Sequence, residues 1–276
     1  MVERTTEGAQ AVSTDKPEYV GPGEPRLVWA VPCDCTMGDR TDQALARARV
    51  PERYRNCDFD NFETDNDHEN VSREQLNAWN RSLSQAKLIV ERFAEEFPAE
   101  GEHGLLLMGS CGAGKTHLAV AALKAIVLRG HSGLFYDYRD LLKRIQDSYN
   151  AESQTTEMGV LEPVLKTEVL VLDDVGSSKP SLWTLETVGH VLNTRYNEKR
   201  VTLLTTNFLD SDSAANPASS ATSLPSARMR GPSVEDSLTD RVGKRIRSRL
   251  YEMCRKVEIL APDYRREIRN VSRSRA

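Results

Sequence analysis

Residues 104–116 read Gly-Leu-Leu-Leu-Met-Gly-Ser-Cys-Gly-Ala-Gly-Lys-Thr. A short apolar run enters a glycine-rich loop, and the stretch that leaves it, 116–129, has helical spacing and stops at Gly130. Strand, loop and helix in this order bring main-chain N–H groups and the positive end of a helix dipole to one point, as an anionic triphosphate requires. Gly109, Ser110, Cys111, Gly112, Ala113, Gly114, Lys115, Thr116 and His117 are therefore the expected phosphate-binding residues. Gly112 and Gly114 let the main chain approach phosphate oxygens without a Cβ in the way. Lys115 supplies a point charge for the β and γ phosphates, and the Thr116 hydroxyl suits Mg²⁺. The expected ligands are ATP and Mg²⁺.

Outward from this loop the chain alternates. Strands are expected at 133–138, 169–172 and 201–206, with helices at 140–149 and 181–199. Wholly apolar strands separated by helices imply a parallel sheet covered on both faces, so the core is α/β. The strand at 169–172 runs into Asp173 and Asp174, 58 residues beyond Lys115. Two acids there are costly unless they meet a cation or water. Asp173 is expected to reach Mg²⁺ through water, and Asp174 to orient or deprotonate an attacking water. A plain helix N-cap pair is the structural alternative. At the end of 201–206, Asn207 stands where it could meet the γ-phosphate or the lytic water.

Further out the signals are compositional. Residues 1–48 carry recurrent Gly and Pro with little apolar periodicity and are expected to be weakly structured. In 49–100 a segment at 50–62 carries Tyr54, Phe59 and Phe62 as docking residues. A stripe from Leu76 through Trp79, Leu83, Ala86, Val90 and Phe93 to Phe97 then marks a helix over 72–97. The core is expected over 101–265, interrupted at 210–237 by a Ser-, Ala- and Pro-rich flexible insertion and followed by a basic tail at 266–276. A helix at 238–250 and a strand at 256–260 complete it.

The 276 residues carry a net charge of −4 that splits unevenly: −8 over 1–100, −1 over 101–209 and +5 over 210–276. A basic end means nucleic acid, a phosphate-bearing ligand or a solvated tail; charge alone does not choose. No apolar run approaches the 18 or more residues that span a bilayer. The first twenty residues have neither signal nor transit character, which makes the cytoplasm the expected compartment. Five cysteines, an odd number, suit a reducing milieu. Near the end, Arg241, Arg245 and Arg249 stand four apart, so a continuous helix would align them on one face.

The segments GSCGAGKTHLAVA, VLVLDDVG, LLTTN and DRVGKRIRSRLYEMC, with the lead-in VPERYRNCDFDNF, resemble the DnaC/IstB group of AAA+ ATPases, the bacterial replicative helicase loaders and transposition helpers. The resemblance covers roughly 50–208 and 238–265. It implies a P-loop NTPase core of AAA+ type with no C-terminal lid domain. Nucleotide would lie on Gly109 to Thr116, Mg²⁺ on Thr116 and Asp173, and water chemistry on Asp174, with sensor duty for Asn207. Arg249, or failing it Arg245, would act as an arginine finger on a neighbouring subunit, so activity would need a homo-oligomer.

The implied function is ATP-dependent delivery of a replicative DNA helicase onto single-stranded DNA, with residues 1–100 as the partner contact. The alternatives are a helper that hands target DNA to a transposase, and a non-hydrolysing ATP-switch adaptor. Tyr136, Tyr138, Arg139, Lys143, Arg144 and Tyr149 are the candidate single-strand-binding residues. Cys33, Cys35 and Cys57 are similar to the zinc segment of some loaders, but a fourth ligand is missing unless His68 serves.

Overall fold

The computed structural model describes residues 2–4, 12–13, 29–31, 34–65, 71–98, 104–150, 156–210 and 237–265. The chain divides into two compact units, 1–47 and 48–276.

In the first unit β1 (Val2–Arg4) pairs antiparallel with β2 (Val12–Ser13) and β3 (Trp29–Val31), and α1 (Asp34–Arg47) follows. Weak structure is the expectation over 1–48; the described segments there are these short strands and one helix. Strands of two or three residues are too short to carry a period, and the Gly and Pro between them dominate the composition.

The second unit opens with a lead-in containing one 3₁₀ turn at Glu52–Tyr54. Helix α2 (Arg73–Glu96) is capped by the Ser72 hydroxyl, which accepts from the Gln75 N–H, and it buries Leu83, Ala86, Val90 and Phe93 as the stripe requires. Then come β4 (Gly104–Gly109), α3 (Lys115–Leu128), β5 (Gly133–Asp137), α4 (Tyr138–Asp147), α5 (Glu157–Lys166) and β6 (Val169–Asp173). The unit continues with α6 (Leu182–Asn197), β7 (Val201–Thr206), α7 (Leu238–Met253) and β8 (Cys254–Ile259). The five strands form one parallel sheet in the order β5-β6-β7-β4-β8.

Strand pleat sends alternate residues to opposite faces. Leu106, Met108, Leu170, Leu172 and Leu204 join one core with side chains of α4, α5, α6 and α7, while α3 crosses the sheet with α2 packed against it. Each strand is buried throughout β4, β6 and β7, which is why they read as unbroken apolar runs. No helix among the described residues is long and apolar enough to cross a membrane.

Three expectations need correction. Helix α5 has no counterpart in the sequence reading, because Pro163 lies inside it and reads as a breaker. The row of Arg241, Arg245 and Arg249 does not form, since α7 breaks at Gly243 (φ 78°, ψ 155°) and Arg241 belongs to the turn before the break. Tyr136 and Tyr138 are 3% and 1% exposed, so they are core residues and not stacking platforms. The expected insertion, apart from Asp210 and Ser237, and the tail at 266–276 lie outside the described residues.

Candidate nucleotide site

The parallel sheet delivers the C-terminal ends of β4, β5, β6 and β7 to one rim, and a cleft of about 980 Å³ opens there. Gly109, Gly112 and Gly114 all have positive φ (154°, 76° and 93°), which turns the loop back on itself before α3 begins. At Gly114 a Cβ would lie 2.5 Å from the ring of Phe62, so the lead-in can close on the loop only over a glycine.

Lys115 is 6% exposed. Its ammonium donates to the carbonyls of Gly109 (2.9 Å) and Ser110 (2.7 Å), and burial pushes its pKa down to about 8. A desolvated cation held only by loop carbonyls is ready to exchange them for anionic oxygens. The Thr116 hydroxyl donates to Asp173 Oδ1 at 2.8 Å, and the Thr205 hydroxyl donates to the same oxygen at 2.6 Å. Burial raises the Asp173 pKa, against the two hydroxyl hydrogen bonds that lower it. Asp173 makes no ion pair among the described residues. A buried carboxylate beside hydroxyls, with oxygen donors only, fits a hard divalent cation such as Mg²⁺.

Thr205 is the residue that the sequence reading missed. Its hydroxyl also accepts from the Asp174 N–H (2.9 Å), and its carbonyl accepts from the Val175 N–H (2.8 Å), so β7 fixes both acids. Asp174 sits at φ 59°, an uncommon backbone state for a residue with a Cβ, and Asn207 Nδ2 donates to its Oδ1 at 2.6 Å. The structure thus brings Thr116, Asp173, Asp174 and Asn207 into one hydrogen-bonded chain at the sheet rim. Within a strand pattern Thr205 looks like any β-branched residue; only the adjacent LDD and TTN ends hint at it.

His117 lines the cleft, but its Nε2 meets the Asp58 carbonyl at 2.8 Å and its ring packs edge-on against Phe62 at 5.3 Å. It secures the lead-in, as does Lys124, paired with Asp58 at 2.8 Å. The docking segment expected at 50–62 therefore forms a wall of the cleft through Tyr54, Cys57 and Phe62. A second wall, also missed, is made by Ala261, Pro262, Tyr264 and Arg265 beyond β8.

Arg249 lies away from its own chain's cleft. Its Nε donates to Asn193 Oδ1 (3.1 Å), its Nη1 pairs with Glu252 (2.8 Å), and its guanidinium stacks 4.4 Å from the Tyr196 ring. Arg245 is exposed. Arg241 stacks on Phe208 at 4.7 Å. Of the zinc candidates, Cys33 and His68 lie outside the described residues, and burial pushes the Cys57 thiol up to about 11. Among the described residues no group of three or more His, Cys, Asp or Glu could hold a metal ion.

Residues 72–213 match the family described as IstB-like ATP binding protein. The chain is 27% identical over 169 residues to the replicative helicase loader DnaC of Buchnera aphidicola subsp. Acyrthosiphon pisum, which takes in 61% of this chain and 63% of that protein. Against DnaC of Escherichia coli K12 it is 27% identical over 168 residues, 61% of this chain and 62% of the other. The chain thus spans less than two thirds of the length of these relatives. Among solved structures, a DnaC helicase loader superposes with a TM-score of 0.56 at 31% identity, covering 76% of this chain and 99% of that one. AMPPCP-bound DnaA of Aquifex aeolicus superposes at 0.53 with 20% identity, over 82% and 56%, a likeness of fold. The α/β P-loop fold of AAA+ type expected from the sequence is borne out.

Proposed function

The chain belongs to the IstB-like ATP binding protein family, and from that premise we propose that it is an AAA+ ATPase of the helicase-loader type. The observation that carries the reading is the chain of contacts Thr116–Asp173–Thr205–Asp174–Asn207 at the mouth of the glycine-rich loop. A loop that binds phosphate only as a structural turn has no need of two acids held by threonine hydroxyls.

Each residue then has a task. Lys115 gives up the Gly109 and Ser110 carbonyls for phosphate oxygens of ATP. Thr116 and Asp173 are the residues that would hold Mg²⁺, which when bound neutralises charge on the phosphate tail. Asp174, one methylene shorter than glutamate, is held in place through its N–H by Thr205 and through its Oδ1 by Asn207. Its remaining oxygen accepts a hydrogen bond from the attacking water. Asn207 keeps the carboxylate aimed and reaches the same water.

The arginine finger is assigned to Arg245 of a neighbouring copy. Arg249, the first choice from the sequence, is engaged with Asn193, Glu252 and Tyr196 and supports α7 on α6. The partner of the cycle is a replicative helicase on single-stranded DNA, contacted through the first hundred residues. The helicase follows from the DnaC relatives, which are replicative helicase loaders; single-stranded DNA and the contact through the first hundred residues are carried over from the sequence resemblance.

The test is ATP turnover over a range of protein concentrations, with and without single-stranded DNA and the host replicative helicase. Lys115→Ala is expected to abolish nucleotide binding. Asp174→Asn retains binding and loses about 10²-fold or more in turnover. Arg245→Ala loses about 10³-fold, and Arg249→Ala far less. Turnover indifferent to Lys115→Ala and Asp174→Asn would overturn the ATPase reading. Stimulation by a transposase and not by the helicase would make the chain a transposition helper instead.

A further inference from the structure

Beyond β8 the chain doubles back across the phosphate loop. The Ser110 hydroxyl donates to the Ala261 carbonyl at 2.7 Å, and the Tyr264 N–H donates to the Gly112 carbonyl at 3.3 Å. Between these two ties Asp263 is turned onto the loop. A Cβ built at Gly112 would lie 1.8 Å from Asp263 Oδ1 and 2.9 Å from its Cα, so the carboxylate rests directly on the glycine. The Arg265 N–H donates to the same Oδ1 at 3.0 Å and fixes the side chain there. At its other end the segment is pinned to α2: the Leu260 N–H donates to Ser82 Oγ at 2.9 Å, and Ser82 Oγ reaches the Glu258 carbonyl at 3.4 Å.

We propose that residues 260–265 form a strap that sets the affinity of the loop for polyphosphate, with Asp263 as the charge that weakens it and Ser82 as the anchor that holds it in place. The proposal rests on the nucleotide-binding reading above. A carboxylate pressed on Gly112 adds negative charge beside the loop amides that would face the phosphates. Its repulsion grows with the number of charges on the tail and is screened by salt. Arg265 lines the cleft itself and acts in the opposite sense, so the strap carries one residue that disfavours the tail and one that favours it. Because Ser82 belongs to α2, a partner that moves α2 changes nucleotide affinity through this hydroxyl as well as through the packing of α2 on α3 and β8.

Titration of the full chain with fluorescent ADP and ATP, at low and at physiological salt, reads this directly. Asp263→Asn is expected to tighten ATP about three- to tenfold at low salt, ADP by less, and both gains shrink as salt rises. Adenosine, which has no tail, binds as before. Asp263→Asn keeps an oxygen that accepts from the Arg265 N–H, and thermal melts that match wild type control for folding. Arg265→Gln weakens ATP, and Ser82→Ala tightens it by less than Asp263→Asn. Affinity within twofold of wild type in Asp263→Asn, or an equal gain for adenosine, overturns the strap; no change in Ser82→Ala overturns the anchor. Wild-type protein that takes up neither ADP nor ATP overturns the phosphate-loop reading itself, a result distinct from either.

Discussion

Among the described residues Arg195 is the largest wholly buried side chain, 0% exposed, and it makes no ion pair there. Its guanidinium instead donates to the carbonyls of Val164 (2.7 Å), Thr167 (3.0 Å), Glu168 (3.4 Å) and Val201, and to the Thr202 hydroxyl (2.9 Å). One side chain thus ties the end of α5 to the entries of β6 and β7, where the Glu168 carbonyl also accepts from the Val201 N–H at 3.1 Å. Burial pushes its pKa down to about 9, yet five acceptors keep it in the cationic form at neutral pH. Arg195→Met is expected to cost about 3–5 kcal/mol in urea denaturation, because buried acceptors lose their donor. Arg195→Lys recovers little, since a point charge does not span the same five atoms. Nothing of this was legible in the sequence, where Arg195 reads as a basic residue at a helix end. The site was more legible: Lys115, Thr116, Asp173, Asp174 and Asn207 stand at chemically telling positions along the chain. Thr205 and Asp263 do not, because what they do depends on which segment lies beside them.

Elements declared themselves where one force dominates their residues. β4, β6 and β7 are buried on both faces and therefore continuously apolar, and α2 has a cap and a stripe. The arginine spacing of α7 predicts a straight helix, and a single glycine overrides it. Gly243 has the φ and ψ of a conformation reserved for glycine, although the nearest atoms to an added Cβ, on Leu185, are 3.8 Å away. Space is therefore available and backbone conformation is the obstacle. Gly189, inside α6, has similar room, with Ile246 at 4.0 Å, and no positive φ. The two glycines should respond oppositely in thermal melts. Gly189→Ala stabilises by about 0.5–1 kcal/mol, whereas Gly243→Ala destabilises by about 1–3 kcal/mol and releases Arg241 from Phe208.

At the scale of the whole chain, the long interruption between β7 and α7 begins and ends at one place. The Leu238 N–H donates to the Leu209 carbonyl at 3.0 Å, and buried Asp210 pairs with Arg247. Loop length costs little once its ends are clasped. Replacing 211–236 by a four-residue Gly-Ser linker is expected to leave urea stability within about 1 kcal/mol and ADP affinity unchanged; a collapse of either would mean that the segment belongs to the core. The sheet has a consequence of another sort. Since all five strands run the same way, every residue assigned to chemistry on this chain's own nucleotide gathers at one rim, while the turns that enter the strands take no part. The exposed turn at Lys199, between α6 and β7, is such a place. A biotin or dye attached there would immobilise or report on the working protein from its idle end, leaving the reactive rim open to solution.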